Sequence, residues 1–167
     1  VVKAVLASSD MDLVGAIETQ VDKEGIDVGT ALGLETVGVP ITSDYEASLC
    51  LSSQNSSSNP SSTRPVVVDF THPSCVYEHT RTAIAYGVHP VIGTTGLTLK
   101  ELNQLNEFTL KASIGAAIIP NFSIGMVLLQ QAAAVAASFY DYAELTELHH
   151  NKKADAPSGT CIKTAEL

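Results

Sequence analysis

Residues 66–96, VVVDFTHPSCVYEHTRTAIAYGVHPVIGTTG, contain two apolar runs on either side of a helical pattern. The runs VVVDF (66–70) and HPVIG (89–93) have the length and composition of buried strands. Residues 74–86, between them, favour a helix. Apolar strands that alternate with helices in this way predict a parallel sheet covered on both faces.

The same alternation continues toward both ends of the chain. The further predicted elements are a helix in VVKAVLAS (1–8), a strand in LVGAIE (13–18), an extended piece at 37–41, a helix at 97–112, a strand in GAAII (115–119) and a buried core helix at 126–139. We therefore expect an α/β fold, a Rossmann-like doubly wound parallel sheet. In such a fold, ligands bind beyond the carboxyl ends of the strands.

Composition limits the function classes. The chain has 167 residues, 45% of them hydrophobic and 16% charged, which is typical of a globular domain with a real core. A net charge of −9 argues against a nucleic-acid-binding surface. No apolar run reaches the ~18 residues of a membrane span. Cys50, Cys75 and Cys161 are too few and too scattered for a disulfide framework, which favours a reducing, intracellular setting.

One segment interrupts the alternation. Residues 52–63, SSQNSSSNPSST, are polar and low in complexity, and we expect a mobile surface loop or insertion there.

Polar or small residues follow each of the predicted strands. These strand ends are Glu18-Thr19, Phe70-Thr71-His72, Gly93-Thr94-Thr95-Gly96 and Asn121-Phe122-Ser123. An acidic residue after an early strand commonly binds the ribose hydroxyls of a dinucleotide, and glycines allow a flat ring to approach the backbone. A single such site is most simply a turn, but four at successive strand ends favour a ligand site.

Residues 147–160, ELHHNKKADAPSGT, combine two histidines, two lysines and a Pro-Ser-Gly-Thr turn. The apolar alternation before them (Tyr142, Ala143, Leu145, Leu148) predicts a strand, and a helix is expected to begin near Ser158 or Thr160. A helix N-terminus favours a bound carboxylate or phosphate, while histidine and lysine can exchange protons. A metal site is the weaker interpretation, because neighbouring residues on a strand point to opposite faces.

ELHHNKKADAPSGT, together with VVVDFTHP, VIGTTG and IPNFSIG, resembles the 4-hydroxy-tetrahydrodipicolinate reductase (dihydrodipicolinate reductase) family of the diaminopimelate route to lysine. The resemblance implies NADH- or NADPH-dependent reduction of a dicarboxylate by a metal-independent homotetramer, cytoplasmic or in the plastid stroma. It also implies that residues 1–123 form an N-terminally truncated dinucleotide-binding domain. Residues 124–167 would begin a C-terminally truncated α+β domain for substrate binding and tetramerisation.

The resemblance assigns roles to individual residues. His149 and Lys153 correspond to the proton donors, and Lys152 is expected to face solvent. The substrate-binding residues would be His150, Ser158, Gly159 and Thr160. The cofactor-binding residues would be Glu18, Thr19, Phe70, Thr71, Gly93, Thr94, Thr95, Pro120, Asn121 and Phe122. Thr19 stands where the family often has an arginine for the 2′-phosphate of NADPH; this favours NADH, although Lys23 could supply the charge.

A G-x-G-x-x-G loop, which normally opens a dinucleotide-binding fold, does not occur in the sequence. The chain also starts at Val1 inside a predicted helix, so the first, central strand of the sheet is expected to be missing as well. From this we expect a polypeptide that alone is marginally stable and has little or no reductase activity. A non-catalytic dinucleotide-binding or interaction fragment is the alternative. A semialdehyde or homoserine dehydrogenase is less favoured, because neither would explain HHNKKADAPSGT.

Overall fold

The computed structural model describes residues 1–58, 64–151, 153 and 156–167. Its helices are α1 (Val2–Leu6), α2 (Val28–Ala31), α3 (Tyr45–Ser58), α4 (Val76–Ala85), α5 (Leu99–Ala112), α6 (Ile124–Ala137) and α7 (Gly159–Ala165), with a 3-10 turn at Val21–Lys23. Its strands are β1 (Ala16–Ile17), β2 (Ile41–Thr42), β3 (Val66–Asp69), β4 (His89–Ile92) and β5 (Ala117–Ile118). Strands and helices alternate, so the predicted α/β fold is confirmed.

The described strands form two parallel sheets, one of β1 and β2 and one in the order β3-β4-β5. Between β3 and β4, the N–H of His89 donates to the Pro65 carbonyl (2.9 Å) and that of Gly93 to the Asp69 carbonyl (2.8 Å). These two bonds advance in the same direction along both strands, which is the parallel pattern. The carboxyl ends of β3, β4 and β5 therefore meet at one edge.

The chain divides into two compact units. The first comprises Val1–Val67 and Thr82–His89, and its core consists of two clusters of buried side chains, one around Ala16, Val28 and Ile41 and the other around Leu49, Ala83 and Val88. The second comprises Val68–Arg81 and Pro90–Leu167, and its buried residues include Val76, Ile92 and Leu105.

The predicted loop at residues 52–63 is wrong where the structure describes it. Residues 52–58 continue α3, and residues 59–63 lie outside the described residues. Serine has a modest helix propensity, which is why the composition favoured a loop.

Packing earlier in α3 explains why the serines are helical. Leu49 is only 3% exposed and lies in a cluster with Ala83 and Val88. The hydroxyl of Ser52 donates to the Ser48 carbonyl (2.9 Å), so this polar group is satisfied within the helix. Once the first turns are fixed by packing, extending the helix needs little intrinsic propensity.

The strand predicted before His149 is also wrong. Residues 142–150 are irregular, and no described strand pairs with them. Apolar alternation produces a strand only where another strand offers hydrogen bonds and a surface to cover. Leu148 is accordingly 90% exposed.

The helix predicted at residues 126–139 is confirmed as α6. The prediction that this helix is buried in the core is wrong. None of its residues is buried, and Ile124 is 78% exposed. A helix with apolar residues on every face is buried only when other elements cover all of its faces. Among the described helices, only α7 makes more than marginal contact with α6. One of these contacts is the hydrogen bond from Nε2 of Gln130 to the hydroxyl of Thr164 (2.9 Å).

In the part of the chain that the structure describes, no helix is long and apolar enough to cross a membrane.

The helical conformation of α3 predicts that two of its leucines differ in their contribution to stability. We expect Leu49→Ala to lower the free energy of unfolding by about 2–5 kcal/mol, because it leaves a cavity in a packed cluster. Leu51, which is 61% exposed, is the matched control, and Leu51→Ala should cost about 0.5 kcal/mol or less. Urea titration of the full-length protein measures both, and equal losses would contradict the helical register of α3.

Candidate active site

A buried carboxylate organises the carboxyl edge of the second sheet. Asp69, the last residue of β3, is 4% exposed. Its Oδ1 accepts the N–H (2.8 Å) and the hydroxyl (2.7 Å) of Thr71 and the hydroxyl of Thr94 (3.2 Å). Its Oδ2 lies 3.0 Å from Nδ1 of His79. A buried carboxylate is tolerated when its oxygens accept hydrogen bonds. Here two of the donors, Thr71 and Thr94, are predicted cofactor-binding residues, and the bonds to Asp69 fix their positions.

Sequence reasoning missed Asp69, which it treated only as part of a strand. An acidic residue that ends a β-branched run is an available signal, because a charge at that position must find partners at the sheet edge.

Phe70, Gly93 and Phe122 form an apolar surface beside this carboxylate. A Cβ on Gly93 would lie 2.2 Å from Cε1 of Phe70, so only glycine allows the ring to pack against the backbone. The rings of Phe70 and Phe122 have centroids 5.4 Å apart with an angle of 48°, and each side chain is 51% exposed. Phe70, Gly93 and Phe122, which are among the predicted cofactor-binding residues, therefore lie together.

The start of α7 packs on the same edge. A Cβ on Gly159 would lie 2.9 Å from Cγ2 of Thr95, so the glycine allows α7 to approach the loop after β4. The hydroxyl of Thr160 accepts from Nδ2 of Asn121 (3.1 Å) and is 3.4 Å from the Pro120 carbonyl. Three predicted segments, residues 93–95, 120–122 and 158–160, are thus in contact.

Ser158 is the N-cap of α7, as predicted, and its hydroxyl accepts the N–H of Cys161 (3.0 Å). The anion bound at this helix start is the side chain of Glu147. The N–H of Ser158 donates to Oε1 of Glu147 (2.8 Å) and the hydroxyl donates to Oε2 (2.5 Å). The N–H groups of Gly159 and Thr160 are not used in this contact.

Glu147 also contacts the predicted proton donor, because its Oε2 lies 2.9 Å from Nε2 of His149. The hydroxyl and N–H of Ser158, and then His149, lower the pKa of Glu147 from its ordinary value of 4.5 to about 2. Sequence reasoning missed this residue. The position of Glu147 two residues before His149 was only a weak sign of a role. The contact with Ser158 spans 11 residues and could not be seen from the local sequence.

The remaining predicted residues of the motif lie near the surface. His150 is exposed, and Lys153 is partly buried. The N–H of Lys153 donates to the His150 carbonyl (3.2 Å), so the backbones of these two predicted residues are in contact. Lys152, predicted to face solvent, lies outside the described residues.

Glu18 and Thr19 belong to the first compact unit, at the end of β1. One oxygen of Glu18 accepts the N–H of Thr19 (2.9 Å) and of Gln20 (3.4 Å), and the other lies 3.5 Å from Nζ of Lys23. These donors, Thr19 foremost, lower the pKa of Glu18. The carboxylate at the end of β1 is thus ionised at neutral pH. Among the described residues, no group of three or more histidine, cysteine or acidic side chains is arranged to bind a metal.

Comparison with known families accounts for nearly the whole chain. Residues 1–122 match the family described as dihydrodipicolinate reductase, N-terminus, and residues 125–167 match dihydrodipicolinate reductase, C-terminus.

Individual curated relatives and a solved structure also match this chain. A 4-hydroxy-tetrahydrodipicolinate reductase of Prochlorococcus marinus is 66% identical, and one of Synechococcus sp. (strain CC9605) is 67% identical; each match covers all of this chain and 60% of the relative. A solved structure, a dipicolinate-bound dihydrodipicolinate reductase from Paenisporosarcina sp. TG-14, superimposes with a TM-score of 0.68 at 32% identity, covering 99% of this chain and 58% of that one. The chain thus spans about three fifths of the curated relatives that it matches.

The low pKa of Glu147 predicts a dependence of local stability on pH. A carboxyl whose pKa falls from 4.5 to about 2 on folding stabilises the fold above pH 4.5, and this contribution is lost as the pH falls toward 2. The protection factors of the Ser158 and Cys161 amides, which correct for the intrinsic pH dependence of hydrogen exchange, should therefore fall as the pH is lowered from 4.5 towards 2. Glu147→Gln should remove this dependence, and an identical pH profile in the variant would contradict the assignment.

Proposed function

This chain belongs to the dihydrodipicolinate reductase family, and we propose that its residues contribute to NADH- or NADPH-dependent reduction of 4-hydroxy-tetrahydrodipicolinate. The main support is the packing of α7 on the sheet edge, with Gly159 against Thr95 and Thr160 bonded to Asn121. Candidate cofactor residues and candidate substrate residues are neighbours there, as transfer of a hydride between two bound molecules requires. The family match favours this function over a non-catalytic dinucleotide-binding role.

The residues at the sheet edge fit a nicotinamide cofactor. Phe70, Gly93 and Phe122 offer an apolar surface for a flat ring, and Thr71 and Thr94 are held behind it by Asp69. When bound, the nicotinamide supplies the hydride. We assign its binding in this unit to the residues that the sequence predicted, namely Phe70, Thr71, Gly93, Thr94, Thr95, Pro120, Asn121 and Phe122.

The start of α7 fits one carboxylate of the substrate. Ser158 is engaged with Glu147, so the N–H groups of Gly159 and Thr160 are the donors that we assign to the substrate. Ser158 contributes by capping the helix and fixing these two amides. His150 and the ammonium of Lys153 would add contacts from the preceding turn, which gives a chain of net charge −9 a local site for a dianion.

His149 and Lys153 are the proposed proton donors. Addition of a hydride to carbon develops negative charge on the substrate, which a nearby imidazolium or ammonium neutralises by giving up a proton. In the full-length protein, His149→Gln and Lys153→Ala should each lower kcat by about 100-fold or more, with little change in the Kd for NADH.

Lys163→Ala is the matched control for the lysine. Lys163 lies in α7 beside the site, but it is exposed and paired with Glu166 at 3.5 Å. Its substitution should leave kcat within about twofold. An unchanged kcat in both His149→Gln and Lys153→Ala would contradict the proposed roles.

Glu18 and Thr19 support a preference for NADH. An ionised Glu18 favours ribose hydroxyls and repels a 2′-phosphate, and Thr19 adds no positive charge. Lys23 lies 3.5 Å from Glu18 and thus offsets part of the negative charge there.

We therefore expect Thr19→Arg to raise the ratio of kcat/KM for NADPH to that for NADH by about 10-fold, because arginine binds phosphate bidentately. Thr19→Gln, of similar polarity but without charge, is the control and should leave the ratio unchanged. Steady-state kinetics with both cofactors measures the ratio, and a fall in the Thr19→Arg variant would contradict the assignment of this strand end.

The wider organisation is proposed on the same basis. The boundary between the two family matches supports a dinucleotide-binding domain at residues 1–123 and a substrate domain from residue 124. We propose a homotetramer for the full-length protein. The cysteines that the structure describes are free thiols, which fits a cytoplasmic location.

A further inference from the structure

Glu147 links two parts of the proposed site, the start of α7 and His149. Its carboxylate receives both donors of Ser158 and also contacts His149. It is therefore anchored to the first residue of the helix whose amides are assigned to the substrate. Its side chain is 26% exposed and that of His149 is 40% exposed, so the pair lies at the surface of the described residues, within reach of a ligand.

The chemistry of the contact fixes the tautomer of the histidine. An ionised carboxylate can only accept hydrogen bonds, so the 2.9 Å contact requires that Nε2 of His149 bear a hydrogen. The two bonds from Ser158 keep Glu147 ionised at neutral pH. In the neutral ring, Nδ1 of His149 then has a lone pair and can accept a proton. In the imidazolium, Nδ1 also bears a hydrogen, and this hydrogen is not the one that Glu147 binds.

We infer that Glu147 is a positioning residue, which holds Nε2–H of His149 so that Nδ1 is the nitrogen that exchanges the proton with the substrate. This inference rests on the proposed function. Because Glu147 is also bound to Ser158, it keeps the proton donor at a fixed place relative to the Gly159 and Thr160 amides. A free imidazole would instead sample several rotamers and both tautomers.

The chain offers a matched control for the structural part of this role. Glu101 in α5 accepts the N–H (2.8 Å) and the hydroxyl (2.7 Å) of the N-cap residue Thr98, as Glu147 does with Ser158, but its partner in these bonds is a threonine and not a histidine. Both Glu147→Gln and Glu101→Gln therefore alter a carboxylate at a helix start. Only the first alters the partner of His149.

The test measures tautomer and kinetics in the full-length protein. Nitrogen-15 NMR of the ligand-free protein should show the Nε2–H tautomer of neutral His149 in the wild type and in Glu101→Gln, and a mixture of tautomers in Glu147→Gln. The kcat of Glu147→Gln should fall about 10–100-fold, with the KM for substrate within about threefold of the wild type. Glu101→Gln should keep the wild-type kcat.

Two results would overturn the inference. One is an Nδ1–H tautomer in the wild type, or an unchanged tautomer in Glu147→Gln. The other is an equal loss of kcat in Glu147→Gln and Glu101→Gln. That result would mean that Glu147 only stabilises the start of α7. If the wild-type protein shows no reductase activity, the proposed function fails, and the tautomer alone decides whether Glu147 positions His149.

Discussion

The carboxylate of Asp69 is the constraint on which the sheet edge depends. A charge that is 4% exposed must be matched by donors, and these come from the loop after β3, from Thr94 after β4 and from His79 on α4. The hydrogen bonds to Asp69 therefore fix the carboxyl ends of β3 and β4 and the helix α4 relative to one another. Phe70, which follows Asp69 directly, is placed against Gly93 by the same arrangement.

A second carboxylate has the corresponding role at the start of α7. Glu147 is more exposed than Asp69, but it too receives donors from residues distant in sequence, and its low pKa reflects them. The two carboxylates bring only negative charge to the edge. We propose that the N–H groups at the start of α7 and the ammonium of Lys153 supply the positive counterpart for a dicarboxylate.

The sequence predicted those features that depend on local pattern. The strand–helix alternation of residues 66–96 identified the parallel sheet, and Ser158 identified the start of α7. Features that depend on distant partners could not be predicted. The serines of α3 are helical because Leu49 packs on Ala83, and the strand expected around Leu145 has no partner among the described residues. Asp69 and Glu147 were missed because their importance lies in contacts with residues distant in sequence, which span up to 25 residues for Asp69 and 11 for Glu147.

We propose that the edge formed by Gly93, Phe122 and the start of α7 brings a nicotinamide cofactor against a dicarboxylate for hydride transfer. The test is to follow deuterium from NADH that carries deuterium at both C4 positions, during turnover of 4-hydroxy-tetrahydrodipicolinate by the full-length protein. We expect a single deuterium on a ring carbon of the product, detected by mass spectrometry and located by NMR. A product without deuterium, or one that forms at the same rate without the cofactor, would contradict the account.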